Sequence, residues 1–161
     1  MKLKGTAIGL MILAVVALGF SYLGWRLSIP ETCQACRRPL HSTTKTVGFA
    51  DDKKKLFCCP TCALTAHRQT GKAVDITELS NYETGSSLKP EDAYIVEGSR
   101  LNLCIQQHVH LDHDKQASPA NFDRCSPSMF AFAKRDGAEK FQREHGGNVM
   151  HFRALEALYR Q

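Results

Sequence analysis

Residues 33 to 71, CQACRRPLHSTTKTVGFADDKKKLFCCPTCALTAHRQTG, decide how this chain is read. Five of its seven cysteines fall there: Cys33, Cys36, Cys58, Cys59 and Cys62. Two pairs of thiols, each on a short rigid turn, are a common way to surround a tetrahedral metal ion. The first pair is Cys33 and Cys36. The second reads in two registers, Cys59 with Cys62 or Cys58 with Cys62, and either brings four sulfurs together. Between the pairs, Thr43 to Ala50 (TTKTVGFA) is β-prone and free of helix signals. Asp51 to Lys55 is a polar turn, and Lys55 to Cys58 returns as a second strand. Pro60 suits the first turn of a helix, where its missing N–H is harmless, and Gly71 is a stop after Ala63 to Thr70. A β-hairpin followed by a helix is expected, with thiols before the hairpin and at the helix start.

Farther along, Ser80 to Pro90 is rich in Ser, Gly, Asn and Thr and reads as a boundary loop. Ala93 to Glu97 is a strand. Ser128 to Lys134 is another, with Met129, Ala131 and Ala133 alternating against Phe130 and Phe132. Asp136 to His145 is an amphipathic helix capped by Asp136, and Gly146-Gly147 ends it. Asn148 to Phe152 is a short strand and Ala154 to Tyr159 a last helical segment. Strand, strand, helix thus occurs twice, a repeat of element order and not of residue identity. The expected fold class is α+β. An N-terminal transmembrane helix (1–27) precedes a cysteine-rich ββα unit (28–84). A second ββα unit (85–161) carries an insert from Leu103 to Arg124.

The transmembrane expectation rests on Gly5 to Trp25, a run without charge that would span about 30 Å as a helix, the thickness of a bilayer core. Lys2 and Lys4 precede it and Tyr22 and Trp25 close it, which places the N-terminus in the cytoplasm and the bulk of the chain in the periplasm. A retained single-pass anchor in the inner membrane is favoured over a cleaved signal peptide. The apolar run continues past the small-residue site Ala17-Leu18-Gly19 and exceeds a usual signal core. The sequence before Cys33, Pro30-Glu31-Thr32, lacks the small and apolar residues of a lipidation site. The formal charge of +5 comes from 21 basic and 16 acidic residues. Setting aside Lys2, Lys4 and Arg26 leaves 18 basic against 16 acidic, with the signs mixed along the chain. No basic stripe with interleaved aromatics is present, so nucleic acid is not an expected partner.

Clustered thiols outside the cytoplasm have three fates: a transferable metal, structural zinc, or disulfides. Seven is an odd number, and three cysteines within five residues make an awkward layout for simple pairing. A redox role for Cys33-Gln-Ala-Cys36 is a further alternative, although no βαβ pattern of the thioredoxin kind surrounds it. No nucleophile–base pair and no carboxylates of defined spacing appear, so neither an enzymatic activity nor a small-molecule substrate is expected.

The spacing Cys36-x21-Cys58-x3-Cys62, with Phe57 before the cysteine pair, resembles the TRASH-type treble-clef metal-binding motif. The wider pattern is similar to the NosL family of periplasmic copper-binding accessory proteins. It runs from Cys33-x-x-Cys36 through the Cys62 helix and Asp92 to Val96, then to Pro127-Ser-Met129, Ala131-Phe132 and Ala138 to Gly147. The resemblance covers most of residues 31 to 155. It implies two related ββα units, a treble-clef-like cysteine site in the first, and delivery of Cu(I) to a partner metalloprotein or transporter outside the cytoplasm. The chain departs from the family at Arg37-Arg38, where a Gly-Met commonly follows the second cysteine.

Met129 falls where the resemblance implies a copper-binding methionine. Thioether and thiolate suit Cu(I), so Cys125 and Met129 form a candidate second soft site, with core packing the plainer role for a methionine in an alternating strand. His108, His110 and His113, with Asp112 and Asp114, occupy the insert and offer imidazoles better suited to Zn(II) or Cu(II). A solvated loop is their alternative. Cys104 is a further ligand, a disulfide partner for Cys125, or a core thiol. Copper(I) is the favoured ion, with zinc the alternative.

Overall fold

A computed structural model of the chain describes residues 11–22, 31–106 and 124–160. The chain divides into residues 1–30 and a compact unit, Glu31–Gln161. In the first part, residues 11–22 form helix α1 with exposed side chains. Among the described residues no helix is long and apolar enough to cross a membrane. The span expected from Gly5 to Trp25 is therefore described only over this inner stretch, and its flanks lie outside the described residues. The histidine run of the insert, His108, His110 and His113, lies outside them too.

The compact unit is mixed α+β and holds two small antiparallel sheets of matching topology. In the first, β1 (Thr46–Ala50) is flanked by β2 (Lys53–Phe57) and β3 (Asp75–Ser80), and β4 (Ser87–Leu88) extends the β3 edge. In the second, β5 (Tyr94–Glu97) is flanked by β6 (Met129–Phe132) and β7 (Asn148–His151). Each sheet has its first strand in the middle, its hairpin-related partner on one side, and on the other the strand that follows a helix. The repeat is thus ββαβ, one strand longer than the ββα expected.

The first unit's helix, expected to run unbroken to Thr70, is two short ones, α2 (Pro60–Leu64) and α3 (His67–Thr70). Thr65 breaks it. Its Oγ1 donates to the Thr61 carbonyl at 2.7 Å, and the Ala66 N–H reaches the Ala63 carbonyl at 3.3 Å, a tightened turn. Gly71 closes α3 in the left-handed conformation, φ 69°. A short helix α4 (Leu103–Gln106) follows β5. In the second unit α5 (Arg135–His145) begins after Lys134, so Asp136 sits in the first turn and does not cap it. There its charge still favours the positive end of the helix dipole. Gly146 and Gly147, both at positive φ, end α5, and α6 (Phe152–Tyr159) follows β7.

Two further readings are corrected. The turn between β1 and β2 is only Asp51-Asp52, both at positive φ, and the three lysines Lys53 to Lys55 already belong to β2. The segment from Ser80, expected to be a loop, joins the two sheets. Asn81 bridges Ala131 in parallel, the Tyr82 N–H donates to the Ala131 carbonyl at 2.7 Å, and the Tyr82 ring meets Phe130, Phe132 and Phe141 edge-on.

The alternation along β6 holds, and it sorts the core. Phe130 and Phe132 pack with Val96, Ala138 and Phe141 beneath α5. Met129 and Ala131 face the other way, into a larger cluster with Ile95, Phe152, Leu155 and all seven cysteines but Cys36, which packs at its edge. The thiols therefore lie inside the protein's main apolar core.

Candidate metal centre

Three segments carry the sulfurs inward. The first is the turn Cys33 to Arg38. The Cys33 N–H donates to the Arg38 carbonyl and the Arg37 N–H to the Cys33 carbonyl, both at 2.9 Å. Arg37 takes the left-handed conformation, φ 63°, which lets the chain double back after Cys36. The Gln34 N–H donates to the Leu56 carbonyl at 2.9 Å and ties this turn to β2. The second segment is the end of β2 and the start of α2, which place Cys58, Cys59 and Cys62. Thr44 Oγ1 holds the Cys58 carbonyl at 2.7 Å, and Thr61 Oγ1 donates to the Pro127 carbonyl at 2.6 Å. Hairpin, turn and helix together bring Cys33, Cys36, Cys58 and Cys62 to one place.

The third segment, just before β6, supplies Cys125. Arg124 anchors it, donating from Nη1 to the Ala35 carbonyl and to Gln69 Oε1. Asn102 donates to the Cys125 carbonyl at 2.9 Å. Cys104 enters from α4.

The sulfurs are in mutual contact. Sγ–Sγ distances are 3.5 Å for Cys36–Cys58, 3.7 Å for Cys58–Cys62, and 3.6 Å for each of Cys58–Cys125, Cys62–Cys125 and Cys58–Cys104. Cys58–Cys59 and Cys36–Cys125 are 3.9 Å apart. All seven cysteines are free thiols. A tetrahedron of sulfurs about 2.3 Å from a central ion has edges of about 3.8 Å, so the spacing fits a thiolate-bound metal. Two overlapping groups of four have all their sulfurs within 4.8 Å of one another: Cys33, Cys36, Cys58 and Cys62, and Cys58, Cys59, Cys62 and Cys125.

Of the two registers read from the sequence, the one through Cys58 forms a group of four with Cys33, Cys36 and Cys62, whereas Cys59 joins Cys58, Cys62 and Cys125 instead. Cys125 belongs to the same assembly as the N-terminal thiols. Met129 is buried and lines a small cavity beside Cys59, Cys104 and Cys125. Sequence reasoning did not find Arg38, whose guanidinium donates to Cys125 Sγ at 3.4 Å. An arginine two residues after Cys36 carries no local signal that it will meet a thiol 87 positions away.

Crowding sets the thiols' protonation against one another. At Cys33, the Cys36 thiol works to raise the pKa, but hydrogen bonds with Cys58 and Cys62 outweigh it and bring the value to about 6. At Cys36, Cys125 works upward, while Cys33, Cys58 and Cys62 hold it well below the thiol range. Cys59 is drawn down to about 6, chiefly by Cys104 and against Cys125. Cys125 is lowered as well: Cys104 pushes it up, and Cys36, Cys58 and Cys59 prevail. Cys58 and Cys62 move the other way, Cys58 raised first by Cys104 and then Cys125, Cys62 first by Cys125 and then Cys33. Protons collect on the two sulfurs at the centre and negative charge on those around them. A cation at the centre would take the place of those protons.

The sequence matches no model of a known family and no curated protein. Among solved structures, the fold is similar to that of the copper chaperone NosL from Shewanella denitrificans. The TM-score is 0.50 and the identity 13%, over 76% of this chain and 87% of that one. At that identity the likeness is one of fold.

Proposed function

We propose that this chain is a metal-binding protein that holds Cu(I), with Zn(II) the alternative, in a pocket of buried thiolates and yields it to a partner protein. One observation carries the reading: sulfurs from three separate segments converge at the edge lengths of a thiolate-bound ion. Soft thiolates, with the Met129 thioether beside them, suit Cu(I). The likeness of fold to a copper chaperone and the NosL-like cysteine pattern point the same way. The apolar run Gly5 to Trp25 supports anchoring at the inner membrane, with the thiols outside the cytoplasm. The partner would be a copper protein or a transporter assembled there.

The test is a competition between the reduced, oxygen-free protein and a chromophoric Cu(I) chelator, repeated with Zn(II). Tight binding is expected. Cys58→Ser, which removes one of the two sulfurs common to both groups of four, is expected to weaken it by about a hundredfold or more, since even outer-shell changes cost up to about that. A protein that retains neither ion with its thiols reduced ends the reading.

A second reading, a structural zinc site, is favoured by one observation, the burial of the sulfurs in the core shared by both sheets. It predicts that chelation unfolds the protein and that bound metal does not pass to an acceptor.

A further inference from the structure

The two groups of four sulfurs share two members, Cys58 and Cys62. Their union is six cysteines: Cys33 and Cys36 on one side, Cys59 and Cys125 on the other, and the shared pair between. Two tetrahedra with a common edge have this composition, four terminal corners and two bridging ones. We propose that the cluster is a dinuclear site, in which the Cys58 and Cys62 thiolates bridge two closed-shell d10 ions of the copper(I) or zinc(II) kind. The inference rests on the metal-binding reading above and deepens it from one ion to two.

The geometry supports the shared edge. Cys58 and Cys62 are 3.7 Å apart, the edge of a tetrahedron whose corners lie about 2.3 Å from its centre. Cys125 completes a face on one side of that edge, 3.6 Å from each of the two. Cys36 stands 3.5 Å from Cys58 and belongs to the other group. It also lies 3.9 Å from Cys125, closer than the roughly 5.2 Å between terminal corners of ideal edge-sharing tetrahedra, so loading two ions would part Cys36 from Cys125. A single ion cannot hold six sulfurs at that bond length, because zinc closes its shell at four in structural sites.

Charge is consistent with two ions. Two Zn(II) ions with six thiolates carry a net charge of two minus, and the protons that the thiols still hold pass to solvent. Two Cu(I) ions reach the same charge with four thiolates, the remaining two sulfurs keeping their protons. The Arg38 guanidinium, donating to Cys125 at 3.4 Å, sits beside that charge. Centres of regular tetrahedra sharing a 3.7 Å edge lie about 2.6 Å apart, and repulsion between the ions stretches this towards about 3 Å.

The test titrates the full chain, reduced and oxygen-free, with Cu(I) in one arm and Zn(II) in the other. Bound metal is then counted by mass spectrometry under native conditions, and the metal K-edge is recorded. Saturation at two ions per chain in at least one arm, with a metal–metal distance near about 3 Å, is expected. The double variant Cys59→Ser/Cys125→Ser is expected to drop to one ion and lose that distance. The wild-type spectrum decides the matter even if the variant fails to fold. Saturation at one ion overturns the dinuclear site and leaves metal binding standing. Two ions without a short metal–metal distance overturn the bridge. No bound ion in either arm overturns this inference together with the function it rests on.

Discussion

Arg37 holds a backbone conformation, φ 63°, that costs an L side chain roughly 1 kcal/mol or more and glycine almost nothing. The exposed side chain buys no buried contact in return. Arg37→Gly is therefore expected to raise the unfolding free energy by about 0.5–1 kcal/mol, net of the extra freedom glycine gives the unfolded chain, and to leave metal stoichiometry unchanged. Thermal melts with and without metal check both halves. The tolerance for arginine here follows from geometry. The turn needs its N–H and its left-handed backbone, while Arg38, one residue on, supplies the side chain that reaches Cys125.

Among the elements, the return from α5 into β7 depends on Gly147. At φ 96°, a Cβ there would lie 2.6 Å from the Glu97 carbonyl oxygen and 3.0 Å from the Ser99 nitrogen, both backbone atoms of the neighbouring strand end. Gly147→Ala is expected to cost more than about 2 kcal/mol, because strain and overlap add. Gly146→Ala has open space around it and meets only its φ of 76°, so about 1 kcal/mol is expected. Urea unfolding of the two variants separates the terms. The hairpin, the second helix and the alternation of β6 were legible because each is a local pattern. Strand β3 was not. Its pairing with β1 shifts register at Val47/Gly48, so Ile76 and Leu79 are both buried three residues apart and the two-residue period breaks. The Asp51-Asp52 turn was drawn too long because three lysines in a row do not read as strand.

At the scale of the whole molecule, the cysteine spacing disclosed half of the centre. Cys33, Cys36, Cys58 and Cys62 are close through a hairpin and a helix that the sequence announces. Cys104 and Cys125 reach them only after the second sheet docks through Asn81 and Ala131, a contact with no short-range signature. Because these thiols share one core with Ile95, Phe152 and Leu155, binding and folding are linked. A free ion concentration a thousandfold above Kd adds about 4 kcal/mol, which for a unit of this size raises Tm by roughly 10 to 20 °C. Calorimetry of the loaded and chelator-stripped protein checks this, and equal Tm values would show that the ion does not depend on the native core. Cys36 has a consequence of its own. It is the one cysteine not fully buried, and its neighbours hold its pKa low. Among the described residues, Cys36 is therefore the corner of the centre most open to solvent. Iodoacetamide is expected to label Cys36 first, before any other thiol, as peptide mapping over time would show. An acceptor's sulfur would meet the ion at the same corner, so the opening of one turn, and not the strength of the whole cluster, would set the pace of release.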